Sequence, residues 1–451
     1  MDWKTQKVLV AGSGKSGIGA TDLLKKVGAE VIIYDGNDKL KEEDVLNKLE
    51  NKEDVKVILG ELEDSVINEI DMMVLSPGIA IDAPFVLRVK EAGVPIWGEI
   101  ELAYVIGKGK LAAITGTNGK TTTTALVGEI MANYYDKVDV VGNIGNPYTT
   151  TAFDSTDDTV TVAEISSFQL ETIHTFKPDV SAVLNITPDH LNRHYTMECY
   201  TDVKMSIAKN QDSNQPIVLN YEDPILREYA GKLTNRIIWF SSKQKVNPGV
   251  YLEGKNIIYA DGKKETFVTT TEDTTLVGIH NVENIMAAIA ISINMDVPVD
   301  IIRETIRKFK AVPHRIEYVE TINDVIYYND SKGTNTDASI KAIEAMSRPT
   351  ILIAGGYDKK VSFDDWAEAF GDKVKCLVLL GQTAEQIADT VKKHGFTNII
   401  FTESLKEAVD ECAKNAKPGD AVLLSPACAS WGMFDNYEQR GDMFKEYVRN
   451  L

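Results

Sequence analysis

Leu111-Ala-Ala-Ile-Thr-Gly-Thr-Asn-Gly-Lys-Thr-Thr122 reads as an apolar strand running into a turn with two glycines, then into a helix continued by Thr123-Thr-Ala-Leu-Val127. Backbone N–H groups of such a turn converge on phosphate oxygens, its lysine reaches the outer phosphates, and the next hydroxyl ligates Mg²⁺. That assigns Lys120 to the phosphates and Thr121 to the metal. The eight-residue phosphate-loop pattern wants its first glycine where this chain has Ile114, and Gly116 supplies the flexibility two residues later. An ordinary strand-to-helix turn is the plainer alternative. Strand, glycines, lysine and paired hydroxyls arriving together favour a nucleotide.

Upstream, Val8-Leu-Val-Ala-Gly-Ser-Gly-Lys-Ser-Gly17 is another strand followed by GxGxxG, then a helix to Val27 and a strand at 31–34 that ends at Asp35. Strand, glycine turn, helix and an acidic residue about 20 positions on form the dinucleotide fingerprint. NAD binding is one reading, and tight helix-on-strand packing is the other. Strands at 55–59, 72–76 and 94–97 alternate with helical stretches, which gives a parallel sheet.

A second domain opens near Gly98, with strands at 138–141, 160–163, 180–184 and 217–219 after the phosphate turn. From Val250 to Val268 the pattern becomes alternating and is broken at Glu253-Gly254 and Asp261-Gly262, as in the hairpins of a small β-subdomain. Ala311-Val-Pro-His-Arg315 reads as a hinge into a third domain, where strands at 325–328, 350–354, 376–380, 398–401 and 421–424 again alternate with helices. Three α/β domains are therefore expected, over 1–97, 98–311 and 312–451.

The 451 residues, 43% apolar and 25% charged, suit a folded chain with sizeable cores. A net charge of −19 argues against broad binding to nucleic acid or anionic membranes, so any phosphate must be held locally. Cys199, Cys376, Cys412 and Cys428 form no CxxC pair, and the first residues lack the apolar core of a signal peptide. Reduced thiols in a cytoplasmic protein are expected. No apolar run reaches the roughly 18 residues of a membrane span.

Three polar groups follow the phosphate turn at strand ends: Glu164 in Ala-Glu-Ile-Ser-Ser-Phe-Gln-Leu-Glu, and Asp189-His190 in Asn-Ile-Thr-Pro-Asp-His. In a parallel sheet the strand C-termini share one edge, so Glu164 and His190 become metal-ligand candidates. A carboxylate suits Mg²⁺ whereas a histidine is an unusual partner for so hard an ion, and a capping or solvated role for His190 stays open. Lys204 reads as a surface lysine on a helix. Asn329-Asp330-Ser-Lys332-Gly-Thr334-Asn335 ends a strand with a dense polar cluster: Asp330 and Lys332 either close on a phosphate or sit in a polar turn with an Asx cap. Cys428 has no base nearby in the sequence, which argues against nucleophilic catalysis.

Taken with Gly142-Asn-Ile-Gly145, His280-Asn-Val-Glu-Asn284, Pro313-His-Arg315 and Leu424-Ser-Pro-Ala-Cys-Ala-Ser430, these motifs resemble the Mur ligases in order and across nearly the whole chain. The similarity is strongest to the branch that adds D-glutamate. The resemblance implies a Rossmann-like first domain for a uridine nucleotide, a central phosphate-loop ATPase domain and a Rossmann-like third domain. The partners it implies are UDP-N-acetylmuramoyl-L-alanine, D-glutamate and ATP, joined in the cytoplasmic stage of peptidoglycan synthesis by a protein expected to be monomeric.

The same likeness implies residue roles. Gly116, Thr117, Asn118, Gly119, Lys120, Thr121 and Thr122 would cradle ATP, with Asn281, Asn284 and Arg315 around its adenine and ribose. Thr121, Glu164 and His190 would hold one or two Mg²⁺ ions, and Lys204 falls where the family has a lysine that reacts with CO₂ to give a carbamate ligand. Lys15, Ser16, Asp35, Ser76 and Gly78 match positions near the uridine diphosphate, and Asn143 one that touches the sugar. Lys332, Thr334, Lys359, Ser430 and Tyr437 match positions around D-glutamate and the γ-phosphate.

The implied reaction phosphorylates the acid, because a carboxylate has no leaving group better than oxide. The amine of D-glutamate then attacks the acyl phosphate. His190 and His314 are both candidate bases, but a metal-bound histidine cannot also take the proton, which favours His314 for positioning or proton transfer. The rivals are a Mur ligase for another amino acid, a folylpolyglutamate-synthetase-like ligase, an NAD-dependent dehydrogenase built on Gly12 to Gly17, and a nucleotide-binding regulator without catalysis.

Overall fold

Val8, Leu9, Val10 and Ala11 are fully buried, as expected of a central strand covered on both faces. In the computed structural model, which describes residues 2–143, 145–310, 312–358 and 361–451, they form the middle of a five-stranded parallel sheet. Its order is Val55–Leu59, Glu30–Asp35, Lys7–Ala11, Met72–Leu75, Ile96–Gly98. Strand order reverses beside Lys7–Ala11, which is where an open α/β sheet leaves a crevice for a ligand. The glycine turn there is sterically obligatory: a Cβ on Gly17 would lie 1.8 Å from the Gly12 carbonyl oxygen, so only glycine lets the helix Lys15–Val27 start so close to the strand.

The next sheet has nine strands, and its parallel part places Val180–Val183, Lys110–Thr115, Val160–Glu164 and Val138–Gly142 side by side. The alternating stretch after Val250 becomes Gly249–Glu253, Asn256–Ala260 and Glu265–Thr270, paired antiparallel. These hairpins are an extension of the central sheet, because Arg236–Ser241 pairs with Gly249–Glu253 on one side and with Pro216–Asn220 on the other. Sequence patterning does not reveal Arg236–Ser241, a strand that mixes Arg, Trp and Ser with isoleucines. The first two sheets share one apolar core, in which Val8, Val10, Ile100, Leu102, Leu111 and Ala113 belong to a single cluster. The helix Glu99–Ile106 is the seam, buried over its first five residues.

The chain divides into two compact units, Met1–Asp273 with Glu283–Arg307, and Thr274–Val282 with Lys308–Leu451. The second unit is built on a six-stranded sheet ordered Glu317–Ile322, Val325–Asn329, Ala421–Leu424, Thr350–Ala354, Val374–Leu379, Ile399–Phe401. Its first pair is antiparallel and the rest parallel. Glu317–Ile322 is a polar edge strand that hydrophobic patterning passes over. No described helix is long and apolar enough to cross a membrane.

Candidate active site

Lys110–Thr115 pairs in parallel with Val160–Glu164, and the register sets Ile114 opposite Glu164. The phosphate turn and Glu164 therefore leave the sheet at the same edge. Gly119, with φ of 83°, caps the helix Lys120–Ala132, and a Cβ there would come within 2.3 Å of Asn284 Oδ1. Glycine is needed both for the left-handed backbone and for the approach of Asn284.

The turn is tied down by its neighbour strand. The Thr117 amide donates to the Asn185 carbonyl at 2.9 Å, the Asn118 amide to Asn185 Oδ1 at 2.8 Å, and the Thr187 amide to Thr117 Oγ1 at 3.0 Å. Lys120 Nζ donates to the carbonyls of Gly116 and Thr117 at 2.9 and 2.8 Å, and Thr121 and Thr122 are buried at the first turn of the helix.

Glu164 is buried, and its Oε1 accepts from Asn143 Nδ2 at 2.8 Å. Its Oε2 is buried with no hydrogen-bond partner. A buried carboxylate oxygen left without a donor is costly, and a hard cation would satisfy it. Among the described residues no three His, Cys, Asp or Glu side chains converge as a metal cage. Such a site suits an ion that keeps waters and phosphate oxygens, as Mg²⁺ does.

Lys204 lies on the helix Met197–Met205 and is 2% exposed, with Nζ donating to the Gly116 carbonyl at 2.8 Å and lying 4.7 Å from the centre of the Tyr200 ring. Burial, reinforced by Lys120, pushes its pKa well below that of an ordinary lysine. His190 sits in the left-handed region with φ of 53°, its ring 4.8 Å from that of Phe168 and its Nε2 3.4 Å from Asp189 Oδ2.

A cavity of about 340 Å³ opens beside these groups. Lys120, Asn143, His190 and Lys204 line it, joined by Gly78 and Pro77 from the first sheet. Ser166, Ser167, Phe168, Asp189 and Tyr200 complete the wall; of these, only Asp189 stands out in the sequence as a polar group at a strand end. The two sheets are clamped beside it by Arg193, which donates to Glu171 and, at 2.8 Å, to the Ile79 carbonyl.

In the first sheet, Lys15 Nζ donates to the Gly145 carbonyl at 3.0 Å and Ser16 is half-buried in the first turn of its helix. Asp35 accepts from the Ser13 amide at 3.0 Å and the Ser13 hydroxyl at 2.6 Å. Burial works to raise the Asp35 pKa, but hydrogen bonds from Ser13 and Asn37 outweigh it and hold it below the usual range. Ser76 Oγ is buried without a hydrogen-bond partner, against Gly12 and Gly17.

In the second unit, Asp330 is buried at the end of its strand, with Oδ2 accepting from Ser425 Oγ at 2.7 Å and Oδ1 from the Ile316 amide at 3.3 Å. Burial pushes its pKa up to about 7. The Lys332 amide donates to the His314 carbonyl at 3.0 Å, the Thr334 amide to the Lys332 carbonyl at 2.8 Å, and Lys332 Nζ lies 5.2 Å from the centre of the Tyr437 ring. His314 stands edge-on to Tyr437 at 5.9 Å. Ser430 is buried and its carbonyl accepts from the Phe434 amide. Asn281 Nδ2 donates to the Val277 carbonyl within its own helical turn, and Arg315 follows His314 into the first strand. Sequence reading misses Arg440, which is buried and donates to Ser331 Oγ, the Ser331 carbonyl and the Cys428 carbonyl. Lys359 lies outside the described residues.

Three family models match in succession: the Mur ligase MurD-like N-terminal domain over 6–98, the Mur ligase middle domain over 114–292, and the Mur ligase glutamate ligase domain over 314–428. The UDP-N-acetylmuramoylalanine--D-glutamate ligase of Lachnospira eligens is 58% identical over 452 residues, covering 100% of both chains. Its counterpart of the same name from Clostridioides difficile is 48% identical, again over 100% of both. Among solved structures, the MurF ligase of Thermotoga maritima in complex with ADP shares the fold with a TM-score of 0.62 at 17% identity, covering 100% of this chain and 99% of that one. The UDP-N-acetylmuramate-alanine ligase of the same organism gives 0.61 at 18% identity over 99% of each.

Proposed function

The chain belongs to the Mur ligase family, and from that premise we propose that it joins D-glutamate to the carboxylate of UDP-N-acetylmuramoyl-L-alanine, converting ATP to ADP and phosphate. The observation that carries this reading is the Ile114 to Glu164 register, which brings a phosphate turn and a half-satisfied carboxylate to one sheet edge beside one cavity. A dehydrogenase would have no use for that second edge.

The acid reacts in two stages. Its carboxylate oxygen first attacks the γ-phosphorus of ATP, giving an acyl phosphate and ADP. The amine of D-glutamate then attacks the acyl carbon and phosphate leaves. Lys120 neutralises charge on the transferring group, and the backbone N–H groups of 116–122 hold the phosphates in line. Thr121, Glu164 through its Oε2, His190 and a carbamate on Lys204 would hold Mg²⁺, which supplies charge stabilisation to the phosphoryl group. For that carbamate, the Lys204 amine adds to CO₂ and releases one proton; burial of the side chain supports a neutral, nucleophilic amine.

Lys15, Ser16, Asp35, Ser76, Gly78 and Asn143 form the uridine-nucleotide side. The unpartnered Ser76 hydroxyl beside Gly12 and Gly17 supports it. Asn281, Asn284 and Arg315 serve the adenosine, while Lys332, Thr334, Lys359, Ser430 and Tyr437 serve D-glutamate and the γ-phosphate, with Asp330 and His314 positioning that cluster. Domain borders at 97 and 311, a monomeric state and a cytoplasmic location belong to the same reading. The test is phosphate release from ATP with UDP-N-acetylmuramoyl-L-alanine present. D-glutamate should drive it and L-glutamate should not; release driven instead by another amino acid would reassign the substrate.

A further inference from the structure

From Ser167 in the cavity wall, His194 and Glu171 stand in a line behind it. His194 Nε2 is 3.0 Å from Ser167 Oγ, and His194 Nδ1 is 3.5 Å from Glu171 Oε1. All three side chains are nearly fully buried. Ser167 opens the short helix Ser167–Leu170, Glu171 follows it, and His194 closes Leu191–His194, so two separate turns meet at this contact.

The proton positions follow from the partners. Glu171 accepts from Arg193 Nε and Nη2, and so turns oxygen lone pairs, not a proton, toward the imidazole. The ring nitrogen facing those lone pairs at 3.5 Å, Nδ1, is the one placed to carry the ring hydrogen. Arg193 already balances the Glu171 charge and the ring is buried, so these contacts accommodate a neutral imidazole, whose Nε2 is then bare. Nε2 therefore accepts from the Ser167 hydroxyl. With its single hydrogen committed backward, Ser167 can offer the cavity only lone pairs.

Lys120 and the Asn143 amide supply donors along this wall. Those suit the carboxylate and phosphoryl oxygens of an activated acid, none of which can pair with an acceptor. Ser167 needs a donor from the ligand, and it shares its wall with Gly78 and Asn143, on the side of the acid substrate. We infer that Ser167 Oγ accepts the amide N–H adjoining the reacting carboxylate, so that Ser167, fixed by His194 and Glu171, makes the site specific for an acid whose last residue is joined by an amide. This rests on the proposed acid substrate, whose L-alanyl N–H is the only one at that position. The hydroxyl is a specificity determinant and His194 a positioning residue.

The test compares kcat/KM for UDP-N-acetylmuramoyl-L-alanine with that for the ester analogue in which L-lactate replaces L-alanine. The native enzyme should prefer the amide by about tenfold, the worth of one neutral hydrogen bond. Ser167→Ala should bring the ratio to within about twofold of unity through loss on the amide, with an unchanged Mg²⁺ requirement. His194→Gln, which keeps an acceptor toward Ser167 and a donor toward Glu171, should retain the preference. An unchanged ratio in Ser167→Ala overturns the inference, and so does equal loss on both acids with a raised Mg²⁺ requirement, which would make the hydroxyl a metal ligand. Failure of the native enzyme to use either acid with D-glutamate would remove the proposed function and this inference together.

Discussion

Lys204 Nζ donates to the Gly116 carbonyl at 2.8 Å, so a helix lysine is buried at the root of the phosphate turn. Lysine is rarely fully buried, and here its neighbours are another lysine and an aromatic ring. That environment favours the neutral amine, the form that can add to CO₂.

Lys204→Ala should therefore lower phosphate release by at least about 100-fold, as expected when one group that stabilises the transition state is removed. Added formate or acetate should restore part of it by placing a carboxylate where the carbamate would stand. The assay is phosphate release with and without the acids. Full activity of the variant in their absence would remove the carbamate.

Gly17→Ala tests the first sheet. The new methyl carbon would stand 1.8 Å from the Gly12 carbonyl oxygen and 3.2 Å from Ser76 Oγ, and backbone cannot rotate aside as a side chain can. Overpacking of this kind costs about 1–3 kcal/mol. Chemical unfolding should show that loss, and affinity for the UDP acid should fall with it while ATP binding persists.

Much of this is legible in the sequence because parallel sheets collect function at one edge: a strand ending in Glu164 and a strand ending in a phosphate turn have to share it once they are neighbours. Lys120 and Glu164 do leave the central sheet on the same side. What sequence cannot supply is burial created by tertiary contact. Lys204 looks like any helix lysine until Gly116 and Tyr200 enclose it, and only the family resemblance picks it out. Ser167, His194 and Arg440 fall in the same class, since their partners lie 27, 27 and 109 residues away in the chain. Arg236–Ser241 escapes for a different reason: an exposed arginine at one end and a buried serine at the other hide the apolar run that the sheet buries.

Glu99 supplies a pH signature for stability. It is buried with Oε1 accepting from Gln169 at 2.7 Å and Oε2 unpartnered, and burial raises its pKa from 4.5 to about 7. Folding thus favours its protonated form. That contribution is fully present below about pH 4.5 and is lost as pH rises through about 7, with at most about 3 kcal/mol at stake. Glu99→Gln, which carries no titrating proton, should flatten this part of the decline in stability between pH 5 and pH 8. Equal slopes for the two proteins in urea unfolding would show that Glu99 ionises freely in the folded state.

His314 decides between proton transfer and positioning. Asn329 Nδ2 lies 3.1 Å from His314 Nδ1, 3.0 Å from Glu317 Oε2 and 3.4 Å from the Gly441 carbonyl, and the last two are acceptors, so the amide nitrogen is correctly placed as a donor. The two amide hydrogens suit the nearer partners, Glu317 Oε2 and His314 Nδ1, so Nδ1 accepts, and in the neutral ring Nε2 holds the hydrogen on the side of Asp442, 3.8 Å away. Neither nitrogen has a lone pair available for the ammonium of D-glutamate. The ring instead fills the space over Gly441, where a Cβ would meet Nδ1 at 2.1 Å, while its backbone carbonyl holds the Lys332 amide. His314→Gln should raise KM for D-glutamate by about tenfold, the worth of one misplaced charge-assisted contact, and leave the acidic limb of the kcat profile where it is. If turnover instead drops by about 100-fold or more and that limb is displaced, His314 returns to the role of base.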